Sequence, residues 1–151
     1  MSTIFSSLEI ASSGMSAQRT RMNVAAMNMA NKATTRTAEG GPYRRRDVVL
    51  SAVDVQTPGG FAERLRRSVS EADEAAQGVA VSEVAVSQDD PELVFDPGHP
   101  DADPDGYVAY PAVNGVKEMV NMMSAARAYE AGAKMLSTVK TMAEKALTIG
   151  R

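Results

Sequence analysis

The residues with a spacing that could support chemistry in this 151-residue chain lie in one short acidic segment. Three aspartates and a glycine have the spacing of the start of a calcium-binding EF-hand loop: Asp101, Asp103, Asp105 and Gly106. Such a loop also needs a bidentate acidic residue at its twelfth position, where this chain has Ala112. We therefore interpret the segment as a turn, with no metal site.

The single histidine, His99, lies in the same segment and could be a metal ligand or a general base. Either role needs further groups around the imidazole, and the chain has no cysteine and no second histidine. We expect His99 to be bonded to nearby backbone in a turn. Pro97, Pro100 and Pro104 fix three φ angles, and Gly98 and Gly106 permit turns closed to other residues, so the loop is predicted to be rigid.

Motifs that define common enzyme classes are absent from the sequence. It contains no Gly-rich phosphate loop, no HExxH, no GxSxG and no CxxC. The adjacent carboxylates of Asp89 and Asp90 precede Pro91 on a turn and are not posed across a cleft. The sequence therefore predicts no enzymatic activity and no catalytic, cofactor-binding or metal site.

Charge is distributed in three blocks along the chain. Residues 1–67 hold ten Lys or Arg and five acidic residues, residues 68–107 hold eleven acidic residues and no Lys or Arg, and residues 108–151 hold six bases and three acids. The basic clusters at 44–46 and 64–67 are framed by no nucleic-acid-binding motif, so no nucleic-acid partner is expected. Basic and acidic faces that meet across subunits are the favoured interpretation.

Both ends of the chain carry apolar residues at alternating steps of three and four, the spacing that places side chains on one face of a helix. The N-terminal seam, interrupted at Gln18, consists of Ile4, Leu8, Ala11, Met15, Met22, Ala25 and Met29. The C-terminal seam, interrupted at Lys140, consists of Met119, Met122, Ala126, Tyr129, Ala133, Leu136, Ala143 and Leu147. The seams predict one long helix over about residues 3–34 and another from near Asn114 to about Ile149.

The C-terminal stretch has a second apolar stripe, angled away from the seam, at Met135, Val139, Met142, Ala146 and Ile149. Two stripes on one helix require two partners, and a single hairpin of both helices would leave much apolar surface exposed. Only four of the first 35 residues are charged, whereas a helix surrounded by water usually shows rows of charged residues. Large apolar surfaces are seldom exposed on a monomer, so the pattern favours an assembly over an intramolecular bundle.

The middle of the chain is predicted to be β-rich. Short strands are expected at residues 48–50, 78–86, 93–95 and 107–109, with a bulge near Ser82 and Glu83 where the alternation of the second strand slips by one. The expected fold is mainly α with a small β insert. Residues 1–35 and 112–151 would form a discontinuous coiled-coil domain, and residues 36–111 the insert, with a variable linker at 57–77 that could hold a short helix.

Motifs in both halves of the chain resemble those of bacterial flagellar rod and hook proteins, the flagellar axial protein family. The N-terminal ones are Ser13-Gly14-Met15, Arg21-Met22-Asn23, Asn28-Met29-Ala30-Asn31 and Thr34-Thr35-Arg36-Thr37. Those that resemble the proximal rod proteins are Tyr43-Arg44-Arg45, Asp96-Pro97-Gly98-His99-Pro100 and Gly106-Tyr107-Val108, followed by Glu118-Met119 and Ala128-Tyr129-Glu130-Ala131. Gly132 departs from the family pattern, and it predicts a close helix crossing or a local bend, since glycine inside a helix costs ~1 kcal/mol relative to alanine.

The resemblance implies a structural subunit of the proximal rod. Such proteins are exported unfolded through the flagellar type III apparatus without signal cleavage, and they polymerise helically into a drive shaft that crosses the periplasm and transmits torque. Their terminal helices would line an inner tube, with the β insert outside. The implied partners are other copies of the chain, other rod and basal-body proteins on the MS-ring side, and the export apparatus; no cofactor is implied.

The residues expected at the assembly interface are Leu8, Met15, Met22, Asn28, Asn31, Met119, Met122, Ala126, Tyr129, Leu136, Met142 and Leu147. The alternative function is a soluble coiled-coil adaptor that forms small closed oligomers. No secretory signal is expected, because the first basic residue is Arg19 and residues 1–18 are interrupted by Ser and Glu. No stretch approaches the ~20 apolar residues of a membrane-spanning helix.

Overall fold

A computed structural model of the chain describes residues 2–54 and 77–149. The elements in chain order are α1 (Ser2–Ala30), β1 (Arg46–Asp54), β2 (Gln77–Val86), β3 (Glu92–Phe95), β4 (Tyr107–Tyr110) and α2 (Gly115–Ile149). The chain is therefore mainly α with small β segments, as expected. Most of the linker expected at 57–77, including its short helix, lies outside the described residues.

The N-terminal helix ends four residues earlier than its seam predicts. The Asn31 side-chain amide donates to the carbonyl oxygen of Met27 at 2.9 Å, and the Thr34 hydroxyl donates to the Asn31 side chain at 3.2 Å. These side-chain bonds, with a backbone bond from Thr34 N–H to the Asn31 carbonyl, replace the helical pattern with a turn. The C-terminal helix begins as predicted, because the side chain of Asn114 accepts a hydrogen bond from Lys117 N–H at 3.1 Å and caps it.

The two helices pack as an antiparallel hairpin whose register is set by small residues. Gly132 of α2 lies against Met15 of α1, so closely that a Cβ atom at Gly132 would lie 2.7 Å from Met15 Cγ. At the other end of the hairpin, Gly115 lies beside Lys32. Gly132 thus marks a close helix crossing, one of the two explanations that the sequence left open.

Helix α1 contacts α2 on one side and strands β1 and β2 on another. On the strand side, the hydroxyl of Ser13 donates to the carbonyl oxygen of Ile10 at 2.8 Å and accepts a hydrogen bond from Val79 N–H at 3.1 Å. A helix enclosed on two sides has little room for charged side chains. The enclosed sides explain part of the low charge of α1, but its exposed side, which includes Ser12, Ser16, Asn23 and Ala26, is largely uncharged as well.

The strands form two separate antiparallel hairpins, β1–β2 and β3–β4. In the first, Val49 pairs with Glu83 but Leu50 pairs with Val81, so Ser82 has no partner and forms a bulge. The predicted bulge is therefore confirmed, and each of the four predicted strands is present, although β1 begins two residues earlier and ends four residues later than expected.

The buried apolar core of the described residues is small and consists mostly of alanine: Ala11, Ala17, Val24, Ala25, Val108 and Ala125. On α2, the face that packs against α1 carries Glu118, Ala125 and Gly132, which follow one another at seven-residue intervals. This face lies between the C-terminal seam and the second stripe. Neither apolar stripe is therefore fully buried by the hairpin.

Candidate assembly interface

The structure divides the expected interface residues into three groups. Leu8, Met15, Met22, Asn31, Met122, Ala126 and Leu136 are half-buried along the flanks of the hairpin. Met119, Tyr129, Met142 and Leu147 are exposed, Leu147 by as much as 75%. Asn28 is fully buried inside the chain. The exposed group is the one that is available to another molecule.

A row of exposed apolar side chains follows the first two turns of α2, opposite its contact with α1. This outer stripe consists of Val116, Met119, Val120 and Met123, at steps of three, one and three residues. Val116 is 74% exposed and Val120 59% exposed. Three of the four, Val116, Val120 and Met123, were not among the residues expected from the sequence. These three residues follow the same three- and four-residue spacing as the seam, when the spacing is counted from residue 116.

A second apolar cluster lies at the opposite end of the helical hairpin. Phe5 is 69% exposed, and the antiparallel register set by Met15 and Gly132 places it across from the exposed Met142. Leu147 lies on α2 beyond this point. The hairpin therefore presents apolar surface at both of its ends.

The fully buried Asn28 joins three segments of the chain. Its side-chain amide donates to the carbonyl oxygen of Arg46 at 2.8 Å and to Glu118 Oε2 at 3.1 Å. Its Oδ1 accepts hydrogen bonds from Tyr43 OH and from Arg46 N–H, both at 2.9 Å. Every hydrogen-bonding position of the Asn28 side chain is used, so we assign this residue to the fold and not to the interface.

Glu118 is the acidic centre of the same cluster, and its Oε1 accepts a hydrogen bond from Arg45 Nε at 2.8 Å. Arg45 also forms a bidentate pair with Asp47. Burial lowers the pKa of Arg45, but its hydrogen bonds to the two carboxylates outweigh that effect and raise it. Burial raises the pKa of the Tyr43 hydroxyl, partly offset by the charge of Arg46. Arg45 therefore stays charged and Tyr43 neutral at neutral pH, and the cluster joins the start of β1 to both helices.

The loop between β3 and β4, residues 96–106, is fastened to the segment that follows α1. His99 Nδ1 accepts a hydrogen bond from Asp101 N–H at 3.1 Å, which confirms the expected turn role of the histidine. The Asp101 carboxylate accepts a hydrogen bond from the Thr35 hydroxyl at 2.8 Å and lies 3.7 Å from Arg36 Nη1. The loop therefore holds the β3–β4 hairpin against the rest of the chain.

Asp103, another acidic residue of this loop, holds the backbone of the loop itself. Asp103 Oδ1 accepts hydrogen bonds from the N–H groups of Asp105 and Tyr107, at 3.0 and 2.8 Å. Gly106 has a φ of 83° and lies so close to Phe95 that a Cβ atom would come within 2.9 Å of the ring. Gly98 does not have a positive φ, so the expectation that it occupies a turn closed to other residues was wrong.

Over nearly its whole length the chain is similar to known flagellar basal-body rod proteins. It is 41% identical to the flagellar basal-body rod protein FlgC of Borreliella burgdorferi, over 97% of each chain. It is 40% identical to FlgC of Bacillus subtilis over 99% of each chain, and 43% identical to FlgC of Salmonella typhimurium over 95% of each. The chain belongs to the FlgC family.

The family model described as the C-terminal region of the flagellar basal body rod proteins FlgEFG matches residues 105–149, which include β4 and α2. The resemblance read from the sequence motifs is therefore confirmed. As a member of the FlgC family, the chain is a structural rod protein and not an enzyme. Neither helix in the described part of the chain is long and apolar enough to cross a membrane.

Proposed function

We propose that the chain is a subunit of the proximal rod of the bacterial flagellum, where it polymerises helically through α1 and α2 and transmits motor torque. The observation that carries this proposal is the outer stripe of α2, together with the apolar cluster at the opposite end of the hairpin. Both lie on the helices whose motifs resemble those of axial proteins.

The location of the two apolar surfaces favours an open polymer over a closed oligomer. One surface contains Val116 and Val120 near the start of α2, and the other contains Phe5 and Met142 at the far end of the hairpin. Contacts between two different patches of the same chain are heterologous, and they generate helical filaments when the rotation does not close. Burying such surface stabilises the assembly by roughly 25 cal/mol for each Å² removed from water.

The arrangement of α1 supports a tubular assembly in which the helices form the inner wall. This helix already has α2 on one side and the β1–β2 hairpin on another. Its remaining faces carry small and neutral polar residues, which allow further helices to approach closely. The terminal segments, residues 1–35 and 112–151, would then form one helical domain and residues 36–111 an outer insert.

The chain is a component of the flagellar basal body, and we propose that it occupies the rod within the periplasmic space. Its partners there would be other copies of the chain and neighbouring rod and basal-body proteins on the MS-ring side. It would reach the rod by export through the flagellar type III apparatus, without signal cleavage.

Two measurements test this function. Basal bodies isolated from a motile strain should contain the chain, detected by an antibody or an epitope tag. Size-exclusion chromatography of the purified protein should show a monomer, because a subunit exported before assembly must not polymerise alone. A discrete, stable helical oligomer in solution and absence from basal bodies would instead support the adaptor function.

A further inference from the structure

A polar cleft lies between the second half of α1, the start of β1 and the first turns of α2. It is open to solvent, has a volume of about 310 Å³, and is lined by the charged residues Arg21, Arg45, Arg46, Asp47, Lys117 and Glu118. Four of these six side chains are cationic and two are anionic. The cleft therefore carries an excess of positive charge.

The two carboxylates of the cleft both form ion pairs with the same cation, Arg45. Glu118 and Asp47 pair with Arg45, as described above. Arg21 donates to the neutral side chain of Gln18 at 3.2 Å. Within the described residues, no carboxylate lies within ion-pair distance of Arg21, Arg46 or Lys117. Three positive charges at the cleft are thus left without a carboxylate partner from this part of the chain.

A complementary acidic segment lies on the same chain, from the end of β2 to the first residue of β3. It contains Asp89, Asp90 and Glu92, which are all exposed. Asp89 accepts a hydrogen bond from the hydroxyl of Ser87 at 2.6 Å. In residues 2–54 and 77–149, no Lys or Arg pairs with any of the three carboxylates. Pro91 favours an extended conformation at Asp90, which suits insertion into a cleft.

The acidic segment begins beside Arg45, which lines the cleft, but Asp89, Asp90 and Glu92 do not line the cleft of their own chain. Ser87 N–H donates to the carbonyl oxygen of Arg45 at 2.7 Å and fixes the start of the segment at the end of the β1–β2 hairpin. Asp89 and Pro91 line a separate small recess beside Tyr43, and neither lines the cleft. Two unlike charged surfaces on one chain match the requirement of a heterologous contact, in which different patches of two copies meet.

We propose that the basic cleft at Arg21, Arg46 and Lys117 binds the acidic segment of a second copy of the chain, with Asp90 and Glu92 as the inserted carboxylates. This inference rests on the proposed function, because it names a lateral contact within the rod. The apolar surfaces of the helices would provide most of the binding free energy. The charged contact would fix the orientation of adjacent subunits.

Cysteine cross-linking tests the contact directly, because the chain contains no cysteine of its own. Lys117→Cys and Asp90→Cys are introduced together into the full chain, and basal bodies isolated under oxidising conditions are analysed without reductant. We expect a disulfide-linked ladder of this chain, while each single variant stays monomeric. A disulfide within one chain, a link only to a different protein, or no link in basal bodies that contain the chain would each overturn the inference.

Charge reversal gives an independent readout that does not need a disulfide. Lys117→Glu combined with Arg46→Glu should lower the amount of chain in basal bodies about tenfold and impair swimming, since like charges would face each other. Adding Asp90→Lys and Glu92→Lys should restore both. Lys134→Glu, an exposed change on the same helix away from the cleft, is the matched control and should have no effect.

The outcomes separate this inference from the proposed function. If the reversed variant assembles and swims like the wild type, the cleft contact is refuted and the rod function stands. If the wild-type chain itself is absent from basal bodies, the proposed rod function is refuted. Failure of the compensating changes to restore swimming would also overturn the pairing of the cleft with Asp90 and Glu92.

Discussion

The outer stripe of α2 offers the sharpest test of the helical interface, through the substitution Val120→Asp. Val120 is 59% exposed on the face of α2 opposite α1, so the change should leave the β hairpins folded and the chain exported. In the assembly the same position is expected to be covered by a helix of a neighbouring subunit. The effect should therefore appear only when subunits meet.

The size of the effect follows from the exposure of this side chain. Complete burial of a valine side chain is worth about 1.5–3 kcal/mol, and about three-fifths of this remains to be gained on assembly, or ~1–2 kcal/mol. Burial of an unpaired carboxylate in its place adds several kcal/mol. A total of about 3–6 kcal/mol per subunit would weaken each contact by a factor of about 10² to 10⁴.

The assay compares export, incorporation into basal bodies and swimming of the Val120→Asp variant. Thr138→Asp is the matched control, because residue 138 lies eighteen residues further along α2, or five helical turns, and therefore on the same face. Thr138 is exposed and polar, so the control should assemble. Normal incorporation and swimming of Val120→Asp would refute the assignment of the outer stripe to the interface.

Three further predictions concern the isolated chain and the loop between β3 and β4. Amide exchange in the purified monomer should show little protection of α1 and α2. The contact between the two helices buries mainly alanine, which does not offset the ordering entropy of roughly 1–2 kcal/mol per residue. Strong protection of either helix would contradict this prediction. His99→Gln should leave assembly nearly intact, since a side-chain amide oxygen can accept the hydrogen bond from Asp101 N–H. Loss of motility in this variant would point to a role for the imidazole itself. Gly106→Val should disrupt the loop because residue 106 has a positive φ and lies against the ring of Phe95, whereas Gly98→Val should have a smaller effect. Motility and limited proteolysis compare the two variants. Equal effects would contradict this explanation.

Much of the local structure could be predicted from the sequence because its signals are local. The bulge at Ser82 follows from a phase slip in the alternation of β2, and the start of α2 follows from its capping residue, Asn114. The close crossing at Gly132 was one of two expected explanations for a glycine inside a helix. The turn role of His99 was indicated by the absence of a chemical partner for it.

The contact face of the helices could not be predicted in the same way. The seams were identified from large apolar side chains, but the hairpin is closed along Ala125 and Gly132, since small residues allow the two backbones to approach. The buried cluster around Asn28 and Glu118 also escaped prediction, because its members come from three segments distant in sequence. Polar residues of this kind carry no periodic signal. The large apolar residues that lie outside this contact face are the ones that we assign to the assembly interface.

The measurement that tests the central claim most directly is a cryo-EM reconstruction of the rod in basal bodies isolated from the source bacterium. We expect α1 and α2 to form the inner wall and helices of neighbouring subunits to cover Val116, Val120 and Phe5. Density in which these side chains face solvent, or a rod in which this chain is absent, would contradict it.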